Sequence, residues 1–281
     1  MKLQYLGTAA AEGVPGLFCQ CSMCQYARKA MGKEYRARSG AVINDRLMID
    51  FPPDVYATCL RIGVTLPEVT HVLFTHSHRD HCCISELLFR ADPAFCIRTQ
   101  TEPLHLYGNE EIERRVKGME EGELAAPNLT FDYLPPFQPC EIAGVTVTPL
   151  LAFHNPPEKA YLYLLEQEGK RLLYGHDTGI FPEETFAYLA GKALDLVSLD
   201  CTAGVLDCQG GHMGLPQNQQ VKRRLEELGC ARRETLWVVN HFSHNGLRWP
   251  KENLPVTWEQ LEEEAQKSGF TASYDGRIFH I

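Results

Sequence analysis

The sequence predicts an α/β protein in which layered β-sheets are covered by helices on the outside. In both halves of the 281-residue chain, strand-like and helix-like segments alternate without an obvious linker, low-complexity segment or short repeat. The composition is 44% hydrophobic and 22% charged, which is typical of a globular protein with a sizeable core. Because α/β folds of this length are often undivided, we expect residues 1–281 to form a single domain.

The first half of the chain begins with a strand-like segment at residues 1–6 and continues into a short hairpin. Two apolar runs, residues 41–43 and 47–49, flank the turn-forming residues Asn44-Asp45-Arg46, and this pattern predicts a β-hairpin. The other candidates in this half are strands at residues 72–74, 104–107, 129–133 and 145–151 and helices at residues 84–91 and 110–121.

The second half repeats this arrangement. Residues 161–166 and 171–174 predict a second hairpin, with Gln167-Glu168-Gly169 as its turn. Residues 194–200 and 236–240 predict inner strands. The helices predicted for this half are residues 182–190, 217–228 and 258–267.

Charge and cysteine content narrow the partners that we expect. The net charge of −9 argues against long nucleic acid, which needs clustered Lys and Arg, whereas a small anionic substrate remains open if metals supply positive charge. No signal peptide is visible, and no apolar run approaches the roughly 20 residues that span a bilayer, so we expect a cytoplasmic protein without a membrane partner. Eleven cysteines then suggest thiols or metal ligands. The oligomeric state stays open, with a homodimer as one candidate.

The densest group of metal-capable side chains lies in residues 76–81, His-Ser-His-Arg-Asp-His, between a predicted strand and a predicted helix. His76 and His78 share a side while the backbone is extended. Asp80 and His81 lie around the bend and can aim at a neighbouring point. Surface histidines or a His-rich tract would lack the interposed charges and the strand context. The segment therefore predicts ligands for two metal ions.

Further candidate ligands follow other predicted strands: His154, Asp177 and His241. A dinuclear site needs about four ligands per metal, counting the reacting water, and a carboxylate such as Asp177 has two oxygens with which to bridge. The neighbouring His176 could compete with Asp177, but strand alternation would face it elsewhere. Asp50, at the end of a strand, is either a hydrogen-bond acceptor for a ligand histidine or a solvated carboxylate.

These residues, in this order, resemble the metallo-β-lactamase superfamily over nearly the whole chain. The resemblance implies an αββα four-layer sandwich with two divalent cations, Mn or Zn, in the active site. One metal is then assigned to His76, His78 and His154. The other is assigned to Asp80, His81 and His241, with Asp177 as the bridge.

A second cluster is the C-x-C-x-x-C pattern of Cys19, Cys21 and Cys24. Three thiolates need a fourth ligand for tetrahedral zinc, and His244 is the candidate, although ordinary buried thiols are the alternative. With residues 6–15, this combination is similar to the phosphodiesterases that accompany carbon–phosphorus lyase. The resemblance implies a structural zinc that ties the N-terminal loop to the loop of His241.

The chemistry that we expect is hydrolysis of a small or cyclic phosphate ester. Two metals about 3.5–4 Å apart lower the pKa of a shared water, so a metal-bridging hydroxide would be the nucleophile. His212, flanked by glycines, is the candidate proton donor for the leaving oxygen, because the resembled phosphodiesterases carry a catalytic histidine in this region; a simple loop histidine is the alternative. Asp80 is expected to be both a ligand and a catalytic residue.

Other functions remain open from the sequence. The same metals could hydrolyse a carboxylic ester, thioester or lactone, although the Cys cluster and His212 favour phosphate. Processing of tRNA 3′ ends is disfavoured by the acidic charge and the lack of an obvious basic arm. An oxidation step as in pyrroloquinoline quinone biosynthesis shares the Cys cluster, but the complete ligand set favours hydrolysis. A di-iron oxygen-reducing enzyme usually carries Glu where His78 stands, and a non-enzymatic metal-binding module would not need so complete a set.

Overall fold

The structure is a computed structural model that describes residues 1–91, 94–98, 102–120, 129–154 and 156–281. Its strands are β1 (Lys2–Gly7), β2 (Gly40–Ile43), β3 (Leu47–Ile49), β4 (His71–Leu73), β5 (Leu104–Gly108), β6 (Leu129–Tyr133), β7 (Cys140–Ile142), β8 (Val145–Leu151), β9 (Tyr161–Gln167), β10 (Lys170–Gly175), β11 (Leu194–Asp200), β12 (Ala231–Asn240), β13 (Thr271–Ala272) and β14 (Ile278–His280). Its α-helices are α1 (Ser22–Ala30), α2 (Val55–Ile62), α3 (Leu88–Ala91), α4 (Glu110–Glu120), α5 (Glu183–Leu189), α6 (Leu215–Glu227) and α7 (Trp258–Lys267). None of the helices in these ranges is both long and apolar enough to cross a membrane.

The strands form two seven-stranded mixed sheets. Their orders are β14-β1-β2-β3-β4-β5-β6 and β13-β12-β11-β10-β9-β8-β7. In the first sheet the strands from β3 to β6 are parallel, and in the second sheet those from β10 to β13 are parallel. Neighbouring parallel strands end at the same edge of a sheet, which is where ligands bind in open α/β sheets.

The apolar residues divide into three clusters that define the layers. One cluster lies between the sheets and joins Tyr5 and Ile49 of the first sheet to Tyr163 and Leu196 of the second. Another covers the outer face of the second sheet with α1, α5, α6 and α7. The third covers the outer face of the first sheet with α2 and α4. The predicted αββα sandwich is therefore confirmed.

Both predicted hairpins are present, and their turns show why these residues occupy them. Asn44 and Asp45 between β2 and β3 have φ of 50° and 60°, a region that Asn and Asp enter more easily than most residues. Glu168 and Gly169 form a two-residue loop between β9 and β10 with φ of 50° and 76°. Such loops match the twist of the paired strands.

Several elements differ from the sequence prediction. The helix predicted at residues 84–91 is a short 3₁₀ helix, Ile84–Leu87, followed by the single turn of α3. The helices α1 and α2 and the strands β7, β13 and β14 were not predicted. Those three strands have two or three residues each, which is too short for a periodic pattern. The end of the helix predicted at residues 110–121 lies outside the described residues.

Candidate metal centre

The structure brings together the seven side chains that the sequence predicts as active-site ligands. His154, Asp177 and His241 follow the ends of β8, β10 and β12, and residues 76–81 begin three residues after β4. The ligand atoms form two groups, and in each group all of them lie within 4.8 Å of one another: His76, His78, His154 and Asp177, and Asp80, His81, Asp177 and His241. This grouping is the one that the resemblance implies.

Asp177 lies at the centre of the cluster. Its Oδ2 atom is 3.2 Å from His76 Nε2 and 3.2 Å from His81 Nε2. It is 3.4 Å from His154 Nε2 and 3.8 Å from His241 Nε2. Two ligand atoms that share a tetrahedral metal at about 2.1 Å are about 3.4 Å apart. The spacing therefore suits side chains gathered around cations.

The orientation of the histidine rings also suits metal binding. His76 Nδ1 lies 3.0 Å from Thr75 Oγ1, His81 Nδ1 lies 2.7 Å from Asp50 Oδ2, and His154 Nδ1 lies 3.3 Å from the Gly211 carbonyl. Partners of this kind hold the proton on Nδ1 and leave the Nε2 lone pair free for a metal. His78 instead presents Nδ1, which is 3.2 Å from His154 Nε2.

Two buried polar atoms of the cluster lack a partner. Neither His76 Nε2 nor Asp177 Oδ1 forms a hydrogen bond within the described part of the chain. Asp177 Oδ1 is 3.1 Å from His212 Nδ1, but the pair lacks the alignment of a hydrogen bond. Buried polar atoms are nearly always satisfied, so divalent cations fit this site.

The protonation states of the cluster residues also suit metal binding. Burial lowers the pKa of His154 to about 4 and also lowers that of His76, so both rings are neutral and ready to bind a metal. Burial opposes the charged form of His81 as well, but Asp50, Asp177 and Asp80 raise its pKa well above the usual value. The proton on His81 therefore balances part of the negative charge of these carboxylates. A bound cation would take over this role, so metal binding must displace the proton.

Asp50 and Asp200 support the ligands from behind. Asp50 is fully buried, accepts hydrogen bonds from Thr75 N at 2.8 Å and Thr75 Oγ1 at 2.9 Å, and orients His81. The sequence had suggested this contact. Asp200 lies 3.3 Å from His241 Nδ1, and both contact Thr202 Oγ1 at 2.8 Å. Burial opposes its charge, but His212 and His241 lower the pKa of Asp200 to about 2.

Three cluster residues have left-handed backbone conformations. Asp50, Asp177 and His241 have φ of 59°, 54° and 63°. Non-glycine residues rarely adopt this region, and such strain persists only where the surrounding structure enforces it. The fold therefore keeps three unfavourable backbone geometries at the point where the two sheets present their polar side chains.

The sequence analysis missed Asn109 and Glu158, which fix the segment between two ligand histidines. Glu158 accepts hydrogen bonds from Ser77 N and Ser77 Oγ, both at 2.8 Å. It also accepts one from Asn109 Nδ2 at 2.8 Å. Asn109 directly follows β5, so the strand-end pattern that predicted His241 could have found it. Glu158 carries no comparable signal in the sequence.

His212 lies at the open side of the cluster with 36% of its side chain exposed. Its Nδ1 atom is 3.1 Å from Asp177 Oδ1 and 3.6 Å from Asp200 Oδ2. Although burial opposes protonation, these carboxylates raise the pKa of His212 to about 10. His212, Asp177, Asp200 and His241 also form a third group of possible ligand atoms within 4.8 Å. The geometry thus leaves two roles for His212, proton donor or ligand.

His176 faces away from the cluster, as strand alternation predicts. Its Nε2 lies 2.6 Å from Ser198 Oγ, and its Nδ1 lies 3.1 Å from Asn240 Nδ2. Burial lowers the pKa of His176 well below the usual value. His176 is therefore a neutral part of the core rather than a competitor of Asp177.

The N-terminal cysteines also converge with their predicted partner. The ligand atoms of Cys19, Cys21, Cys24 and His244 all lie within 4.8 Å of one another. His244 Nδ1 is 3.6 Å from Cys19 Sγ and 3.3 Å from Cys21 Sγ. The Gly16 amide donates to Cys24 Sγ at 3.3 Å. This donor set fits tetrahedral zinc, whose ligand atoms have similar separations.

The sequence profile described as "Beta-lactamase superfamily domain" matches residues 45–237, which is more than half of the chain. The chain belongs to the β-lactamase superfamily. No curated protein matches it at a significant level. The matched residues include every ligand candidate of the metal cluster except His241. The fold and the metal-capable residues described above are consistent with membership of this superfamily.

Solved structures share this fold at low sequence identity. A diphosphatase from the PhnP family is 20% identical, with a TM-score of 0.72 and coverage of 99% of this chain and 96% of that chain. Zn²⁺-bound PqqB from Methylobacterium extorquens is 18% identical, with a TM-score of 0.75 and full coverage of both. The short form of human tRNase Z is 15% identical, with a TM-score of 0.61 and coverage of 100% and 99%. These likenesses place the superfamily fold over the whole chain.

Proposed function

We propose that this chain is a dinuclear metal-dependent phosphodiesterase that acts on a small or cyclic phosphate ester. The observation that carries the proposal is the position of His212, which lies at the open side of the ligand cluster with Nδ1 against Asp177 and Asp200. An alkoxide leaving from phosphorus needs a proton, and a positioned imidazole supplies one.

His76, His78, His154 and Asp177 would hold one divalent cation, and Asp80, His81, Asp177 and His241 would hold the other. Two such cations, Mn or Zn, would lower the pKa of bound water and stabilise the negative charge of a phosphoryl group. Cys19, Cys21, Cys24 and His244 would hold a structural zinc. The structurally similar PqqB is described as Zn²⁺-bound, which supports zinc binding by a protein of this fold.

The residues of the chain would then act as follows. Asp80, whose side chain is 12% exposed, orients the attacking water at the mouth of the cluster. The water oxygen bonds to phosphorus and the ester P–O bond breaks. His212 gives its Nε2 proton to the leaving oxygen, because its Nδ1 faces the two carboxylates and none of the described residues hydrogen-bonds to Nε2. The products are an alcohol and a phosphate monoester.

Two further observations support phosphate as the substrate. One structural relative is described as a diphosphatase, which also cleaves a bond to phosphorus. The net charge of −9 argues against long nucleic acid as a general partner, so we propose a small-molecule substrate. The proposal is of a cytoplasmic, single-domain enzyme.

A substrate panel tests this proposal. Protein loaded with Mn or Zn is incubated with bis(p-nitrophenyl) phosphate, ribose cyclic phosphates, a lactone, a thioester and a precursor tRNA. We expect the phosphodiesters to be hydrolysed and the others to be poor substrates. Turnover of the lactone or thioester in preference to every phosphodiester would transfer the assignment to carbonyl chemistry, and cleavage of the precursor would transfer it to tRNA processing.

The change His212→Ala separates the two roles of this residue. We expect turnover of a phosphodiester with an alkyl leaving group to fall by roughly 10²–10⁴-fold while metal content stays the same, because a general acid is lost. Metal content is measured by plasma emission spectrometry on the same samples as the kinetics. His280→Ala, at an exposed position in β14, is the matched control. Loss of a metal equivalent from His212→Ala would show that His212 is a ligand.

A further inference from the structure

A cavity of about 420 Å³ opens beside His212, and His78 is not among the described residues that line it. Phe153 and Ile180 form its apolar wall, and Gln209 and Gln220 form part of its polar wall. In an in-line displacement the leaving group departs opposite the attacking oxygen and next to its proton donor. Whatever enters this cavity therefore lies where a leaving group would be protonated by His212.

Phe153 contributes an aromatic surface to this cavity, and its backbone is held by two hydrogen bonds. Its amide donates to Thr178 Oγ1 at 2.9 Å, and its carbonyl accepts from Gly179 N at 3.0 Å. A β-carbon at Gly179 would lie 2.0 Å from the Gly210 carbonyl oxygen and 2.9 Å from Phe153 Cδ1, so this close approach requires glycine. The ring is nevertheless 49% exposed. A large apolar ring on a fixed backbone that is left open to solvent is suited to stacking.

The polar lining of the cavity combines one carboxylate, Asp207, with amide side chains, two of which have no partner among the described residues. The side chains of Gln209 and Gln220 are exposed and form no hydrogen bond to any described residue, whereas Gln217 is engaged with Asp207 and with the amides of Cys208 and Gly214. No Lys or Arg within the described ranges lines the cavity. The lining therefore disfavours an anionic group, and the free glutamine amides suit a group with hydrogen-bonding edges.

A second cavity, beside His78, differs in charge. It measures about 530 Å³, reaches Ser77 and His78, and is lined by Arg114, Arg115 and Lys159 together with acidic residues. A charged portion of a substrate would be accommodated there. The contrast between the two cavities assigns the uncharged portion to the side of His212.

From these contacts we infer that the cavity of Phe153, Ile180, Gln209 and Gln220 is the leaving-group subsite and takes an uncharged planar ring, aromatic or heteroaromatic. This inference rests on the proposed phosphodiesterase function. The ring stacks on Phe153, its edges meet the two glutamine amides, and the ester oxygen that joins it to phosphorus lies at His212. Water adds to phosphorus, the P–O bond to the ring-bearing oxygen breaks, and His212 protonates that oxygen to give the alcohol.

A pair of phosphodiesters tests the subsite. Benzyl methyl phosphate and cyclohexylmethyl methyl phosphate carry leaving alcohols of similar size and acidity, but only one has a planar ring. For the metal-loaded wild type we expect a kcat/KM about 10-fold or more higher for the benzyl ester, with release of benzyl alcohol rather than methanol. Phe153→Leu should reduce the preference to less than about 3-fold, since stacking is lost. Phe18→Leu, at a position that is 97% exposed, is the matched control.

A binding measurement separates failure of the subsite from failure of the proposed function. Saturation-transfer NMR with benzyl alcohol should show transfer to the ring protons with wild type and with Phe18→Leu, and none with Phe153→Leu. Equal turnover of the two diesters, or release of methanol from the benzyl ester, overturns the subsite and leaves the phosphodiesterase intact. If neither diester is hydrolysed, the proposed function is contradicted, and the NMR result alone decides whether the ring binds at Phe153.

Discussion

Asp177→Asn is expected to remove both active-site metals and to abolish measurable turnover. Asp177 Oδ2 lies within 3.8 Å of the Nε2 atoms of His76, His81, His154 and His241, so its charge would serve both of the proposed metal positions. Loss of a partner outside the coordination sphere typically costs roughly 10–100-fold in metal affinity or activity, and loss of the shared ligand should cost more. Asn keeps the size of the side chain and tolerates the φ of 54° found here.

Metal content and kinetics of Asp177→Asn are measured after dialysis against metal-free buffer and again after addition of Mn or Zn. We expect two equivalents to be lost, with the zinc of the cysteine site retained. Asp132→Asn, at an exposed position of β6, controls for removal of a carboxylate. Full metal content and activity in Asp177→Asn would refute the assignment of Asp177 as the bridge.

Cys19→Ser is expected to lose one zinc equivalent and to lower the melting temperature. Cys19 Sγ lies 3.6 Å from His244 Nδ1, and the site joins the N-terminal loop to the loop after β12. Structural zinc contributes directly to folding free energy, and each kcal/mol lost lowers Tm by roughly 2–4 °C in a protein of about this size. Because His241 and His244 share one loop, we also expect Cys19→Ser to lose some turnover, but less than Asp177→Asn.

The zinc prediction is checked by metal analysis and by thermal unfolding of the zinc-loaded protein. Cys140→Ser, which changes an exposed free cysteine, is the matched control. An unchanged zinc content in Cys19→Ser would show that these thiols are packing residues. A drop in zinc without any change in Tm would show that the metal binds there but does not stabilise the fold.

Much of the metal cluster could be predicted because its residues follow a local rule. His154, Asp177 and His241 each come one to three residues after a segment whose apolar pattern predicts a strand, and parallel strands end at a common edge. The close spacing of residues 76–81 and of Cys19, Cys21 and Cys24 likewise needs no knowledge of the rest of the chain. The grouping of these ligands into two metal positions came from the family resemblance.

The rest of the site depends on contacts between distant parts of the chain. Glu158 accepts a hydrogen bond from Ser77, which is 81 residues away in the sequence. Gly179 lies so close to the Gly210 carbonyl that any side chain at position 179 would clash with it. Neither relation leaves a periodic or spacing signal. The helices α1 and α2 were also missed, and their buried residues pack on the two sheets, which is where most of the stability of such helices comes from.

The cluster takes its ligands from both sheets of the sandwich. His76, His78, Asp80 and His81 follow a strand of the first sheet, whereas His154, Asp177 and His241 follow strands of the second. Elsewhere the sheets are held together mainly by apolar side chains, with a few hydrogen bonds between them, such as those of the Tyr5 hydroxyl to Ser198 Oγ and of the Tyr163 hydroxyl to the Phe74 carbonyl. Cations bound here would act as a coordinate cross-link between the sheets at one edge, so that catalytic competence and the mutual alignment of the sheets would be acquired in the same step.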